Sequence, residues 1–592
     1  MNKKTSNSLK QYWQLLVDYL APHKGQVTIL SIASIFNIIL KLVNPQIVRY
    51  FLDSAEQAAP LEKLTTAAGL FIGFALLNQG IQVLVIYLGE NIAWLATNAL
   101  RADLALHCLK LDMSFHKRYK PGELIERLDG DVTQLANFFS QLVIQLGSNL
   151  LLILGILALL WAQDWRIGLS ITLAMLIGLL ILDWLTKRTI PRFQAVREVE
   201  ATLFGFLEEW LNGTEEIQTS GAKPYIMRRL FDVMRSRWKK TLHAMRLHVL
   251  VAIMPMNVFM LAYIAAHVLG STLFRSSEIT IGALYVIFYY IDVLKGPVWE
   301  IRRQIEDLQR ATASINRITE LLAEQPSILD GPGLPDLPGP LRVNFDRVTF
   351  QYEDDPDTNI LHDIHFTLQP GKTLGLLGRT GSGKTTLTKL ILRLHDPANG
   401  EIQIGTSTGA LYDLRQANQA ELRKQIAMVT QDVQIFQVSV RQNLTLFDES
   451  ISDERILQVI EQIGLGDWFH ALPDGLDTSL EAGGSGLSAG ESQLLAFGRV
   501  FLHNPGLVIL DEASSRLDPA TESRIDKAIV ELLENRTGII IAHRLSTVQR
   551  ADEIMILQDG QIAEHGSRSD LVANPDSLFS NLLQTGLEET LV

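Results

Sequence analysis

Six apolar runs separated by charged intervals dominate the first half of the chain, and a different pattern follows them. They cover about residues 27 to 52, 65 to 96, 138 to 162, 167 to 185, 248 to 274 and 281 to 299. A helix of roughly 20 apolar residues crosses a hydrocarbon core of about 30 Å, so each run predicts a spanning helix. Six crossings put both ends of the bundle on one side. The intervals after the second and fourth runs are long and periodic, which predicts helices continuing well past the bilayer.

Loop charge assigns the side. Lys3, Lys4, Lys10 and Lys24 precede the first run, Arg101, Lys110, Lys117, Arg118, Lys120 and Arg127 follow the second, and Lys187, Arg188, Arg229, Lys239 and Lys240 follow the fourth. The opposite connections, 55 to 61, 162 to 165 and 274 to 280, are short and carry Arg275 as their one basic residue. Basic loops stay cytoplasmic, so both termini are expected inside. No cleavable leader is expected, because the first 26 residues are polar and basic.

Proline and glycine then break the pattern at Gln325-Pro326, Gly331-Pro332-Gly333 and Pro338-Gly339-Pro340. Beyond them come short strand-like runs: Val348-Thr349-Phe350, Thr373 to Leu377, Ile426 to Thr430, Leu507 to Leu510 and Gly538 to Ala542. Helical stretches alternate with these, which predicts a largely parallel sheet wrapped by helices. The expected architecture is therefore multidomain: an all-α six-helix transmembrane bundle in 1–324, a linker in 325–340 and an α/β domain in 341–592.

Composition supports the split. The 592 residues carry a formal net charge of −13, and the mean hydropathy is +0.15. A dedicated nucleic-acid binder needs basic surface, so no nucleic-acid partner is expected. The single cysteine, Cys108, excludes an internal disulfide and reads as a small buried apolar side chain.

Two motifs carry chemistry. Gly378-Arg379-Thr380-Gly381-Ser382-Gly383-Lys384-Thr385 follows a strand and opens a helix, the spacing of a P-loop. Its glycines let backbone N–H groups wrap a phosphate, and the helix that continues through Thr386 adds its positive end. Lys384 is expected on the β- and γ-phosphates of ATP, and Thr385 on Mg²⁺. Leu507-Val508-Ile509-Leu510 ends in Asp511 and Glu512. Asp511 would hold Mg²⁺ through water, and Glu512 would polarise the attacking water.

Leu487-Ser488-Ala489-Gly490-Glu491, about twenty residues before that strand, resembles the signature motif of the ATP-binding cassette (ABC) family, and with the two motifs above the chain resembles an export-type half-transporter. The resemblance implies that Tyr352 stacks on adenine. It implies that Gln431 senses Mg²⁺ and the membrane domain, that Ser515-Arg516-Leu517-Asp518 crosses to a partner cassette, and that His543 contacts the γ-phosphate. Two cassettes would close head to tail on two ATP molecules, with Ser488 and the N–H of Gly490 facing the ATP held by the partner. Phe115 to Leu128 with Asp131, and the stretch around Gly221-Ala222-Lys223-Pro224-Tyr225, resemble coupling segments.

Ala489 and Glu491 depart from the family's Leu-Ser-Gly-Gly-Gln. Glu491 adds charge near an anion, or on a helix points to water. Together with an intact Glu512 and His543, these departures suggest pairing with a different half-transporter whose own ATP site is weakened. Lys41, Glu90, Asp183, Asp292 and Lys295 fall inside spanning runs and are candidates for a cargo path. Tyr289 and Tyr290 offer aromatic surface there or simply pack. The expectation is ATP-driven export of a small molecule, lipid or peptide across a bacterial plasma membrane. Uptake by the same fold, a soluble cassette ATPase and an ATP-binding regulator or channel are the rival readings.

Overall fold

The computed structural model describes residues 17–138, 147–407, 409–481, 483, 486–511, 519–542 and 545–585. The chain forms two compact units, one made of Met1–Leu109 and Gly122–Glu324, the other of Lys110–Pro121 and Gln325–Val592.

The first unit is helical. Its main elements are α1 (Lys24–Glu56) and α2 (Leu61–Lys110), then α4 (Gly147–Gln163), α5 (Trp165–Asn212), α6 (Thr214–Thr219), α7 (Lys223–Arg275) and α8 (Ile281–Ala323). Helix α3 (Met113–Arg118) belongs to the second unit. Among the described residues, five helices are long and apolar enough to cross a membrane, and Gly147–Gln163 is a shorter apolar helix. The third expected run starts earlier than this helix, and residues 139–146 lie outside the described ones. Helices α2, α5 and α7 run for 50, 48 and 53 residues. At 1.5 Å per residue each is roughly 70–80 Å long, more than twice the hydrocarbon core.

Local chemistry sets the breaks. Asp164, between the third and fourth runs, accepts a hydrogen bond from the N–H of Arg166 and starts α5. Thr280 starts α8 by accepting from the N–H of Ala283. The core of this unit gathers Ile156, Leu160, Ile167, Ile171, Ala266, Val286 and Tyr290. Small residues allow the close approaches: a Cβ on Gly178 would stand 2.6 Å from Val258 Cγ2. Many other large apolar side chains of the spans, such as Leu76, Tyr87 and Leu180, are exposed in the isolated chain. Lipid tails solvate such groups, so no hydrophobic drive buries them. Cys108 is buried and forms no disulfide.

The second unit contains two sheets. Strands β1 (Arg342–Gln351), β2 (Asn359–Leu368), β4 (Asn399–Gly405) and β5 (Tyr412–Asp413) form an antiparallel sheet in the order β2-β1-β4-β5. The other sheet has the order β10-β9-β3-β8-β7-β6, from β3 (Thr373–Gly378), β6 (Ile426–Val429), β7 (Leu507–Asp511), β8 (Thr537–Ile541), β9 (Glu553–Gln558) and β10 (Gln561–Ser567). It is parallel except for β10. The parallel sheet answers the expectation, and the antiparallel one is additional. Strands β3 and β8 are buried along their whole length, as strands covered on both faces must be. One cluster, including Phe345, Leu376 and Leu387, joins the two sheets around α9 (Lys384–Ile391). Another, including Leu377, Leu494, Phe497 and Ile525, covers the opposite face with α10 (Ala489–His503).

Residues 325–340 form neither helix nor strand, yet they are tied down. The N–H groups of Gly331 and Gly333 donate to the carbonyls of Ala417 and Gln416.

Candidate active site

The parallel sheet places the chemistry at the carboxyl ends of its strands, where open α/β sheets bind ligands. Strand β3 runs into the loop, and β8 separates it from β7. Leu376 and Asp511 both lie opposite Ile541 of β8, so the acidic strand end sits about 10 Å, two strand spacings, from the strand feeding the loop.

The loop needs its glycines. Gly378, Gly381 and Gly383 have φ of 147°, 85° and 103°, conformations an L side chain rarely adopts. A Cβ on Gly378 would also lie 2.3 Å from the carbonyl oxygen of Leu557. Gly383 starts α9 without a side-chain cap, which leaves the helix N–H groups for a ligand. Ser382 is buried and its Oγ has no hydrogen-bond partner. An uncapped helix start beside a buried, unsatisfied hydroxyl fits a phosphate.

Lys384 is buried, and its ammonium donates to the carbonyls of Gly378 (2.5 Å) and Arg379 (3.1 Å). Burial lowers its pKa, while the Asp511 carboxylate opposes the shift. Burial likewise raises the pKa of Asp511, and Lys384 and Lys389 pull it back. Each group favours the charged form of the other. Thr385 is exposed on the first turn of α9, as are Arg379 and Thr380 in the loop, and Gln431 is exposed just after β6. Glu512, His543 and Ser515-Arg516-Leu517-Asp518 lie outside the described residues.

Tyr352 follows β1 and is held from several sides. Its hydroxyl and that of Thr386 are 3.0 Å apart, which ties the ring to α9. Phe350 and His395 meet it edge-on, with centroids 4.9 and 5.3 Å away. Burial lowers the pKa of His395, with Lys389 adding to the shift. The ammonium of Lys117 stands 4.8 Å from the Tyr352 centroid and 2.7 Å from a carboxylate oxygen of Asp354. Lys117 lies on α3, inside the first expected coupling segment. Asp112 caps α3 at the N–H of Phe115 and accepts from the N–H (2.7 Å) and hydroxyl (2.6 Å) of Ser327. Farther along that segment, Asp131 is buried in the helical unit and paired with Arg317 through both carboxylate oxygens. The second segment contains the short α6, and Gly221 turns with φ of 69° before α7.

The signature segment begins α10 with Ser488 as its N-cap. Glu491 does not simply point to water. It reaches back, its Oε2 accepting from the N–H (2.7 Å) and hydroxyl (2.8 Å) of Ser488. Ser488 in turn caps the N–H of Glu491 (3.2 Å). Ser-x-x-Glu is a capping box legible in the sequence, and that signal was missed. Gly490 is buried, and a Cβ there would lie 2.0 Å from Thr521 Cγ2. Packing therefore demands glycine at this position.

The comparisons agree with this geometry. The family model described as ABC transporter transmembrane region matches residues 27–298, and the one described as ABC transporter matches 361–515. An uncharacterised ABC transporter ATP-binding protein of Bacillus subtilis, YknV, is 31% identical over 575 residues, covering 95% of this chain and 92% of its own. A fatty acid ABC transporter ATP-binding/permease protein of Mycobacterium bovis is 31% identical over 477 residues, covering 80% of this chain and 74% of its own. The solved structure of a bacterial Atm1-family ABC exporter with ATP bound superposes with a TM-score of 0.76 at 23% identity, covering 95% of this chain and 98% of the other. With membrane-spanning helices, a nucleotide site built on a P-loop and relatives aligned along nearly its whole length, the chain belongs to the ABC transporter family and couples ATP hydrolysis to transport across a membrane.

Proposed function

We propose that this chain is one half of a heterodimeric exporter in a bacterial plasma membrane, with its cassette (341–592) and both termini in the cytoplasm. The basic intervals support that orientation. The likeness to an exporter fold supports outward movement, and the likeness to a bacterial fatty acid transporter supports a small-molecule or lipid cargo, with a peptide as the further option.

In this reading ATP sits on the loop of this chain. Backbone N–H groups from Gly378 to Thr385, the Ser382 hydroxyl and Lys384 hold the phosphates, and Tyr352 stacks on the purine. Thr385, Gln431 and Asp511 would hold Mg²⁺, whose hard-cation preference suits their oxygens, and the bound ion neutralises phosphate charge. Glu512 orients the attacking water, and His543 contacts the γ-phosphate.

One observation carries the heterodimer: the carboxylate of Glu491 takes both the N–H and the hydroxyl of Ser488. In a head-to-tail dimer this helix start faces the γ-phosphate of ATP on the partner cassette. A fixed carboxylate there repels that phosphate and competes for the donors that would meet it. The partner's ATP is held weakly. The ATP on this chain meets the partner's own signature segment and turns over.

Purification from the native membrane tests this. A second, different half-transporter should accompany the chain, and Glu512→Gln should stop turnover while nucleotide still binds. Glu491→Gln removes the charge and should raise turnover in the complex by roughly two- to fivefold. A chain that pairs with itself and hydrolyses ATP vigorously refutes the heterodimer. ATP-driven accumulation in right-side-out vesicles refutes export.

A further inference from the structure

The helical unit holds a polar cavity of about 620 Å³, lined by α1, α2, α4 and α8. Its volume lies in the range of small-ligand sites. On α1 the lining residues Ser34, Asn37, Lys41 and Asn44 recur at intervals of three and four, which places them on one helix face. Asn78 and Glu90 face it from α2.

Several of these groups have nothing to bond to. Ser34 is 91% buried, being 9% exposed, and its Oγ has no hydrogen-bond partner. The amide oxygen of Asn44 is also buried without one. Asn37 donates to the side-chain (3.1 Å) and backbone (3.3 Å) oxygens of Asn78. Unsatisfied polar atoms at membrane depth are costly and persist where they meet water or a ligand.

The charged residues sort the same way. Asp183 is paired with Lys187 at 2.6 Å, and Asp292 with Lys295 at 2.6 Å, all largely exposed. Lys41 and Glu90 line the cavity, and neither has an ion pair or hydrogen bond among the described residues. Glu300 also lines it but has a partner of its own. The cavity thus offers one uncommitted cation, one uncommitted anion and a stripe of amide and hydroxyl groups. Ile38, Val85 and Leu152 supply apolar wall.

We propose that this cavity is a cargo subsite for a dipolar amphiphile. Lys41 receives its anionic group and Glu90 its cationic group. The α1 stripe binds the polar head, and the apolar wall holds part of the chain. This rests on the transport reading above and adds the substrate class.

The test uses the full transporter in lipid nanodiscs and four single-chain probes with one dodecyl tail, each below its micelle concentration. They are dodecylphosphocholine (dipolar), dodecyl phosphate (anionic), dodecyltrimethylammonium (cationic) and 1-O-dodecylglycerol (neutral). Binding is measured with radiolabelled probe and corrected for protein-free discs. The dipolar probe should bind about tenfold more tightly than the neutral one, the effect of one charge-assisted contact. Lys41→Met should shift the ranking toward the cationic probe and Glu90→Gln toward the anionic one, whereas Lys41→Arg and the outlying Asp183→Asn should retain it. Equal binding of dipolar and neutral probes, or a ranking unmoved by Lys41→Met and Glu90→Gln, overturns the proposal. ATP turnover is read on the same discs. Loss of the ranking with Glu512-dependent turnover intact refutes only the subsite, whereas turnover insensitive to Glu512→Gln refutes the transport reading itself.

Discussion

The tie between Tyr352 and Thr386 yields a prediction that separates anchoring of the proposed adenine platform from stacking itself. The two hydroxyls are 3.0 Å apart, and Thr386 is only 6% exposed. Tyr352→Phe keeps the π face but leaves the Thr386 hydroxyl buried without its partner, at a cost of about 1–3 kcal/mol. Thr386→Val removes the other hydroxyl and leaves that of Tyr352, which is half-buried and can reach water, so its cost is nearer about 1 kcal/mol. The double variant leaves neither hydroxyl stranded, so the effects should fall short of additive by about 1 kcal/mol. Part of this energy is restraint on the ring in the nucleotide-free protein. ATP affinity in a Glu512→Gln background should therefore fall about three- to tenfold in Tyr352→Phe. Tyr352→Ala also loses the stack, worth about 1–3 kcal/mol, and should bind more weakly still. Equilibrium binding of a fluorescent ATP analogue across the four members of the cycle, with thermal unfolding of each, measures both quantities. Additive effects on stability, or wild-type ATP affinity in Tyr352→Phe, would refute the anchoring argument.

Other predictions follow from neighbouring contacts. Gly490→Ala should destabilise the cassette by about 1–3 kcal/mol through its clash with the Thr521 methyl, and Thr521→Ser, which removes that methyl, should restore much of the loss in denaturant unfolding. Burial lowers the pKa of His395 below the ordinary 6.5, so the unfolded chain takes up the proton first. Stability is full above about 6.5 and declines as pH falls from there through the folded value, and His395→Gln should flatten that limb of a Tm-against-pH curve. Lys117→Glu sets a carboxylate beside Asp354 in place of the ion pair, and faster amide exchange across residues 113–118 is the expected readout.

The nucleotide loop was legible because its information is local. A strand, three glycines at fixed offsets and a lysine opening a helix specify the backbone almost without help from the rest of the chain. The spanning helices were legible for the same reason, since length and apolarity alone define them. The antiparallel sheet was not. Only Val348-Thr349-Phe350 announced itself, because β1 finds its register on β2 and β4 through contacts far along the sequence. The capping box at Ser488 and Glu491 was present in the letters but was masked by reading Glu491 as a departure from a family motif. The α1 stripe is a similar case. Lys41 was visible singly, while Ser34, Asn37 and Asn44 gained meaning only once α2, α4 and α8 enclosed them.

Tyr352 sits where several parts of the second unit meet. Its hydroxyl is bound to the helix that carries Lys384, its edges meet Phe350 and His395, and Lys117 stands by its ring. Lys117 belongs to the segment Lys110–Pro121, which Asp112 also fastens to Ser327. An aromatic ring attracts a cation and a purine through the same π system, so the proposed stacking of adenine on Tyr352 would be coupled to the position of Lys117. The side chains around one tyrosine thus connect the helix that follows the phosphate loop with the segment Lys110–Pro121 of the same unit. Neither the phosphate loop nor Tyr352, read separately, contains that connection.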